Sequence, residues 1–283
     1  MSIVYLNGDF LPLEEARISV LDRGFTLSDG VYEVLPVFHG KIFRLEEHLQ
    51  RLDNSLAAIL IDNPHTREQW KNICIDILER NRTDGKMSLY IQVTRGVGER
   101  DHVFDSTLRP TVFAMCKSVI ERDYRDGIRA ITHEDIRWQY CYIKSTALLA
   151  GVLLRQRALV TDGSLEAILI RNGRLTEGAA SNVFVVQHGI VKTPEVDGNI
   201  LPGITRDLVV ELLRDSGHGC VETGITEQEL RNADEIWISS STMGIVPVVL
   251  LDGVPVGDGR PGRIWREADA IYRDYIDSEF AVS

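Results

Sequence analysis

The segment Ile136-Arg137-Trp138-Gln139-Tyr140-Cys141-Tyr142-Ile143-Lys144 decides how this chain is read. Its apolar and aromatic residues predict a strand ending on Lys144, and the pattern through Leu148, Leu149, Val152 and Leu153 predicts a helix directly after it. Lys144 is one of only six lysines in 283 residues, so its place at a strand end stands out from background. Burial disfavours the charged form of an amine, and the neutral amine is a nucleophile toward an aldehyde. The opposing reading is a lysine whose stem packs on the sheet while its head reaches water. Residues elsewhere in the chain must separate the two.

Upstream, the polar run Glu121-Arg122-Asp123-Tyr124-Arg125-Asp126-Gly127 breaks the hydrophobic pattern and predicts a domain boundary, with an N-terminal domain over 1–120 and a C-terminal one over 121–283. Before it, Asn7-Gly8 and His39-Gly40 each lie between strand-like runs and predict hairpins. Leu45, Leu49, Leu52, Leu56 and Ile59 recur at helical spacing, as do Trp70, Ile73, Cys74, Ile77 and Leu78 behind a Thr66 cap with Gln69 three residues on. Strands are predicted at Met87 to Val93 and Thr111 to Val119, so this half reads as an antiparallel sheet with helices on one face. After the boundary a strand at Ile128 to Ile131 precedes the lysine segment, and hairpins return at Asn172-Gly173 and His188-Gly189. Helices over 205–214, 226–232 and 264–276 and strands over 235–239 and 247–251 complete an α+β chain with mostly antiparallel sheets.

A net charge of -11 leaves no basic excess to displace the counterions of nucleic acid. Small metabolites are the better partners. Cys74, Cys116, Cys141 and Cys220 are scattered without a CxxC pair, which predicts reduced thiols and neither a metal site nor a disulfide framework. The opening Met1 to Gly8 has no basic start followed by a long apolar run, and no stretch approaches the roughly 20 apolar residues of a membrane span. The expectation is a soluble, cytoplasmic protein.

An aldehyde cofactor on Lys144, for which pyridoxal phosphate is the candidate, would need two more parts from the chain, a carboxylate for its ring nitrogen and a cradle for its phosphate, and both have candidates downstream. Glu177 stands in Leu175-Thr176-Glu177-Gly178-Ala179-Ala180-Ser181-Asn182-Val183-Phe184, at a bend of small residues where a flat ring can approach. It also reads as a solvated turn glutamate. Leu201-Pro202-Gly203-Ile204-Thr205-Arg206 opens an apolar helix whose first amides, at Ile204 and Thr205, suit an anion. The plainer reading makes Thr205 a helix cap. Ser239-Ser240-Ser241-Thr242 offers hydroxyls or is merely a loop, and Arg51, off the apolar stripe of its helix, is a phosphate ligand or an exposed surface arginine.

Together these segments resemble the fold type IV pyridoxal phosphate enzymes, the class IV aminotransferases, over nearly the whole chain. The resemblance is most specific at His48-Leu49-Gln50-Arg51-Leu52, the Lys144 segment, Thr176-Glu177-Gly178 to Phe184, and Leu201 to Arg206. It implies a two-domain α+β fold, an N-terminal α/β sandwich with a C-terminal pseudo-barrel. It further implies that Lys144 bonds the cofactor aldehyde, Glu177 pairs with the ring nitrogen and Leu201 packs under the ring. Arg51, Ile204, Thr205, Ser241 and Thr242 are the implied phosphate ligands.

Within that family, Asp29-Gly30-Val31-Tyr32-Glu33-Val34 and Thr94-Arg95-Gly96-Val97-Gly98-Glu99-Arg100-Asp101-His102 are similar to the D-amino acid aminotransferases. There a tyrosine, an arginine and a histidine spaced as Tyr32, Arg100 and His102 trap the substrate carboxylate, a role suited to charge-assisted hydrogen bonding. Read alone, Arg100 and His102 are loop charges. The resemblance implies a homodimer that moves the amino group of D-alanine-like substrates to a 2-keto acid, 2-oxoglutarate, by ping-pong kinetics through pyridoxamine phosphate. Branched-chain aminotransferases carry a substrate-binding arginine near Pro36 and lack the Arg100, His102 pairing. (R)-amine aminotransferases and aminodeoxychorismate lyases of the same fold remain weaker readings, and a non-catalytic metabolite-binding protein is the weakest.

Overall fold

The structure, a computed structural model, describes residues 2–83 and 85–280. They fall into two units, the first made of the chain up to Glu121 together with Ile143–Ala147, the second of Arg122–Tyr142 and the chain from Leu148 onward.

In the first unit β1 (Ile3–Leu6) and β2 (Asp9–Pro12) form a hairpin whose turn residues Asn7 and Gly8 have φ of 53° and 111°, the left-handed backbone that a two-residue turn demands. α1 (Arg23–Leu27) leads into β3 (Gly30–Phe38), which turns into β4 (Lys41–Ile42). α2 (Leu45–Ala58), α3 (Arg67–Arg80), β5 (Met87–Thr94) and β6 (Thr111–Ser118) follow. The strands make one antiparallel sheet in the order β2-β1-β6-β5-β3-β4. Leu49, Leu52 and Leu56 of α2 and Trp70, Ile73 and Ile77 of α3 share a core with Leu35, Leu89 and Ile91 of the sheet. Each such side chain contributes about 1.5–3 kcal/mol of transfer free energy. Thr66 and Gln69 close the capping box at the start of α3.

The strand predicted over Ile136 to Ile143 does not form. β7 (Ile128–Glu134) ends at Glu134, and the carboxylate of Asp135 then accepts from the backbone N–H of Arg137 at 3.1 Å and from its guanidinium, an Asx turn that ends the extension. Trp138, Tyr140 and Tyr142 stack edge to face on one another, each partly exposed. Order resumes where Ile143 enters the first unit's core. β4 covers only the far end of β3, and at its near end the carbonyl of Lys144 accepts from Tyr32 N at 2.9 Å, Ser145 bridges Val31, and Thr146 N donates to Gly30 O at 3.0 Å.

The second unit continues with α4 (Leu149–Asp162), β8 (Glu166–Arg171), β9 (Arg174–Gly178), β10 (Asn182–Gln187), β11 (Ile190–Thr193), α5 (Ile204–Asp215), β12 (Cys220–Glu222), α6 (Glu227–Arg231), β13 (Glu235–Ser240), β14 (Gly244–Leu251), β15 (Val254–Pro255) and α7 (Arg263–Glu279). Its sheet runs β12-β11-β10-β13-β14-β7-β8-β9, with β15 on β14, and mixes antiparallel pairs with parallel ones at β7·β8, β7·β14 and β11·β12. β9 is at one end of that path and β10 is third from the other, yet only residues 179–181 join them, so the sheet curls back on itself as a pseudo-barrel. Leu154 and Ala158 of α4 pack on Ile131, Ala167 and Leu169. Its larger remaining apolar side chains, Leu149, Val152, Leu153, Leu159 and Val160, are exposed. No described helix is long and apolar enough to cross a membrane.

Candidate active site

In the first unit, β3 presents Tyr32, whose ring stacks on Tyr90 with centroids 5.7 Å apart. Lys144 Nζ lies 4.5 Å from the centre of the Tyr32 ring. The lysine backbone is held on both sides, its carbonyl by Tyr32 N and its N–H by Ser55 Oγ of α2 at 3.2 Å, while the side chain stays half-buried. The strand context is wrong, but the lysine is anchored to a sheet all the same.

Arg51 is not the surface residue that one reading allowed. It is 5% exposed, and its Nε and Nη2 donate to Glu33 Oε1 and Oε2, each at 2.8 Å. His48, one turn earlier on α2, completes the cluster with Nδ1 2.7 Å from Glu33 Oε2. A carboxylate only accepts, so Nδ1 carries the proton, leaving Nε2 buried without a partner. Burial lowers the His48 pKa, and the charges of Arg51 and Lys144 add to that against the pull of Glu33, so the ring is neutral. Burial opposes ionisation of Glu33 too, but Arg51, by charge and hydrogen bond, and then His48 outweigh it and bring the carboxyl down to about 2. Arg100 and His102 lie exposed on the loop joining β5 to β6.

In the second unit Glu177 is the penultimate residue of β9 and is 4% exposed. Its Oε1 accepts from Arg137 Nη1 at 2.5 Å, and its Oε2 from Leu201 N at 3.0 Å and Asn182 Nδ2 at 3.1 Å. Burial still wins, pushing the carboxyl up to about 7 against the lowering by Arg137 and the Leu201 amide. Asn182 Nδ2 also donates to Leu201 O at 2.9 Å, and a Cβ on Gly203 would fall 2.0 Å from Asn182 Oδ1. Glu177 is thereby fixed to the segment that starts α5.

Thr205 is not the cap of that helix. Gly203 takes the extended N-cap conformation, with no side-chain cap, and the helix begins at Ile204. Thr205, 2% exposed, is left inside the first turn with Oγ1 buried and unpartnered. An unsatisfied buried hydroxyl costs about 1–3 kcal/mol, and here it stands beside amides that have no acceptor within the helix. That donor set fits a phosphate. Ser239 Oγ is a second buried, unpartnered hydroxyl. Ser241 and Thr242 occupy the turn between β13 and β14, half-buried and exposed respectively.

Glu33, His48, Arg137 and Asn182 were not singled out by role from the sequence. A signal existed for the first two: an acid at an inward position of β3, and two bases three apart on one face of α2. Nothing in the sequence ties Arg137 to Glu177, forty residues on.

A family model described as amino-transferase class IV matches residues 30–251. The D-alanine aminotransferase of Bacillus licheniformis is 38% identical over 281 residues, 98% of either chain. That of Staphylococcus haemolyticus is 38% identical over 282 residues, 98% of this chain and 99% of its own. Among solved structures, the branched-chain aminotransferase of the thermophilic archaeon Thermoproteus uzoniensis with norvaline matches with a TM-score of 0.90 at 25% identity, over 99% of this chain and 96% of that one.

The Glu33 cluster yields a pH prediction. Its carboxyl is lowered from 4.5 to about 2 in the fold, so its contribution to stability is complete above the unfolded value and is lost as pH falls through that window. Glu33→Gln should cost about 3–5 kcal/mol at neutral pH, because the buried Arg51 guanidinium loses the carboxylate charge it faces, and should lose less than the parent between pH 4.5 and 2. Urea unfolding at pH 7 and pH 3 checks both.

Proposed function

The chain belongs to the class IV aminotransferases, which work with pyridoxal 5'-phosphate, and from that membership we propose that it moves the amino group of D-amino acids, D-alanine foremost, to a 2-keto acid such as 2-oxoglutarate. The observation that supports this best is Glu177: a carboxyl desolvated until its pKa reaches about 7 is short of one positive charge, and a protonated pyridine nitrogen supplies one. Bound, the cofactor contributes an electron-withdrawing ring that acidifies the α C–H of the amino acid.

The chain's residues do the rest. Lys144 Nζ would hold the cofactor's aldehyde and, as a free amine, would be the base that takes and returns the α-proton of the amino acid. Glu177 would pair with the protonated ring nitrogen, and Leu201 would pack under the ring. Arg51, the amides of Ile204 and Thr205, Thr205 Oγ1, Ser241 and Thr242 would hold the phosphate. Tyr32, Arg100 and His102 grip the substrate carboxylate. The keto acid formed from the donor leaves before the acceptor enters, so the kinetics are ping-pong.

The working form is a cytoplasmic homodimer. Large apolar side chains exposed in the first unit, Ile18, Val20, Leu21, Phe25 and Val103 at 51% to 79%, and the Leu149, Val152, Leu153 face of α4 in the second support a covering second copy. One observation favours a branched-chain L-amino acid reading instead, the likeness to the Thermoproteus uzoniensis enzyme. The greater identity to D-alanine aminotransferases weighs against it.

A half-reaction decides between them. Holoenzyme mixed in turn with D-alanine, L-leucine and (R)-1-phenylethylamine should pass to the pyridoxamine spectrum fastest with D-alanine. L-leucine as the best donor would overturn the D-specific reading. Lys144→Ala should lose at least a hundredfold to ten-thousandfold in kcat, roughly the worth of a positioned acid–base group, and parental turnover in that variant would remove the mechanism. Leu149→Asp combined with Val152→Asp should shift the holoenzyme from dimer to monomer on size-exclusion chromatography. A parental elution volume would place the interface elsewhere.

A further inference from the structure

Arg23 has no part in the chemistry so far. It is 3% exposed and comes from α1, outside every segment that carries the family pattern. Its Nη1 donates to two backbone carbonyls, Glu99 O at 3.1 Å and Asp101 O at 2.7 Å, the residues on either side of Arg100. Its Nε donates to Asp29 Oδ2 at 2.9 Å. Asp29 in turn accepts from Arg95 Nε at 2.8 Å and Nη2 at 3.0 Å, and Arg95 also holds the carbonyls of Ile59 and Leu60 and stacks 3.6 Å from the centre of the Phe104 ring.

From this geometry we propose that Arg23, itself aimed by Asp29, is the positioning residue of the carboxylate-binding loop. It clips the backbone on both sides of Arg100 so that the guanidinium of Arg100 and the imidazole of His102 are presented in one fixed arrangement. This rests on the reading of Arg100 and His102 given above.

The loop's foot is pinned by independent contacts. Arg23 N donates to Gly96 O at 2.8 Å, Gly98 N donates to Leu21 O at 3.2 Å, and Asp22 bridges Val97. Gly96, at φ +92°, passes so close to Arg109 that a Cβ there would lie 1.9 Å from the Arg109 carbonyl oxygen. Those contacts end at Gly98. Beyond it the loop carries exposed side chains from Glu99 to Val103, and the guanidinium of Arg23 is what reaches residues 99 and 101 from a buried position. A loop ordered before binding does not charge the ordering entropy to substrate. The effect of Arg23 should therefore appear in carboxylate affinity and not in the chemical step.

The test compares holoenzymes carrying Arg23→Lys, Arg23→Met, Asp29→Asn and Arg100→Ala. Measured for each are KM and kcat with D-alanine, inhibition by propionate, which has the carboxylate and no amine, and the absorption spectrum of the bound cofactor. Arg23→Met should raise KM for D-alanine and Ki for propionate together, by about tenfold to a hundredfold, the range for hydrogen bonds from a charged donor. Its kcat and spectrum should stay at the parental values. Arg23→Lys, which keeps the charge but not the fork, should fall between, as should Asp29→Asn. These two more conservative variants carry the test if Arg23→Met does not fold. If Arg100→Ala raises KM and Ki while the Arg23 and Asp29 variants leave both at the parental value, or lower kcat instead, the positioning role is overturned and the functional reading stands. If Arg100→Ala itself changes neither constant, the loop is not the carboxylate site and the functional reading fails with it.

Discussion

A carboxylate taken out of water must be matched where it stands, and both units are organised by that constraint. Asp29 lies between Arg23 and Arg95, Glu33 between His48 and Arg51, and Asp135 between Arg137 and Arg171. In each, burial resists ionisation and the neighbouring bases overcome it, so the pKa ends below the ordinary value. Glu177 is different. Its nearest base, Arg137, is shared with Asp135, and its remaining partners are the neutral donors Leu201 N and Asn182 Nδ2. Half an arginine does not offset full burial, and the carboxyl stays near neutrality. Glu166 is raised by burial as well, but it is satisfied by Ser181 Oγ and Ala167 N beneath the bend after β9. Glu177 is thus the acid whose environment improves when a cation arrives.

The same economy of anchoring explains the lysine. Position 144 belongs by sequence to a loop between two elements of the second unit, yet residues 143–147 attach to the first. The attachment uses the unclaimed edge of β3 next to Tyr32, together with a buried Ile143 and Ser55 of α2. A long flexible side chain has much rotamer freedom to lose, so fixing the backbone on both sides of Cα limits where the amine can go. The ring of Tyr32 limits it further.

Much of this was legible from the chain. Asn-Gly and His-Gly pairs marked the hairpins because only residues that tolerate a left-handed backbone fit such turns, and Asn7, His39, Asn172 and His188 all adopt it. Thr66 with Gln69, and the leucine spacing of α2, marked helices for equally local reasons. What misled the reading was long-range. The aromatic run before Lys144 looks like a strand until Asp135 turns it, and Thr205 looks like a cap until Gly203 starts the helix two residues sooner. Arg51 lies off the leucine stripe, which normally means water. Glu33, eighteen residues earlier on another element, is what makes its burial tolerable.

The likeness to a branched-chain aminotransferase in fold and the greater identity to D-alanine aminotransferases both run over nearly the whole chain, but the structure itself has parts that differ in how freely they can change. Lys144, Glu177 and the start of α5 are held by sheet edges, buried side chains and a helix terminus, elements that change little without losing the fold. The loop between β5 and β6 can be rebuilt while Thr94 and Thr111 stay paired at its base. On the proposed reading, substrate choice can drift on the loop while the reaction is retained. On the same reading, a charged grip that depends on angle needs the loop's backbone held still. Two arginines converging on Asp29 beneath the loop reconcile these demands. They stiffen its backbone from a buried position and leave the exposed side chains of residues 99–103 open to change.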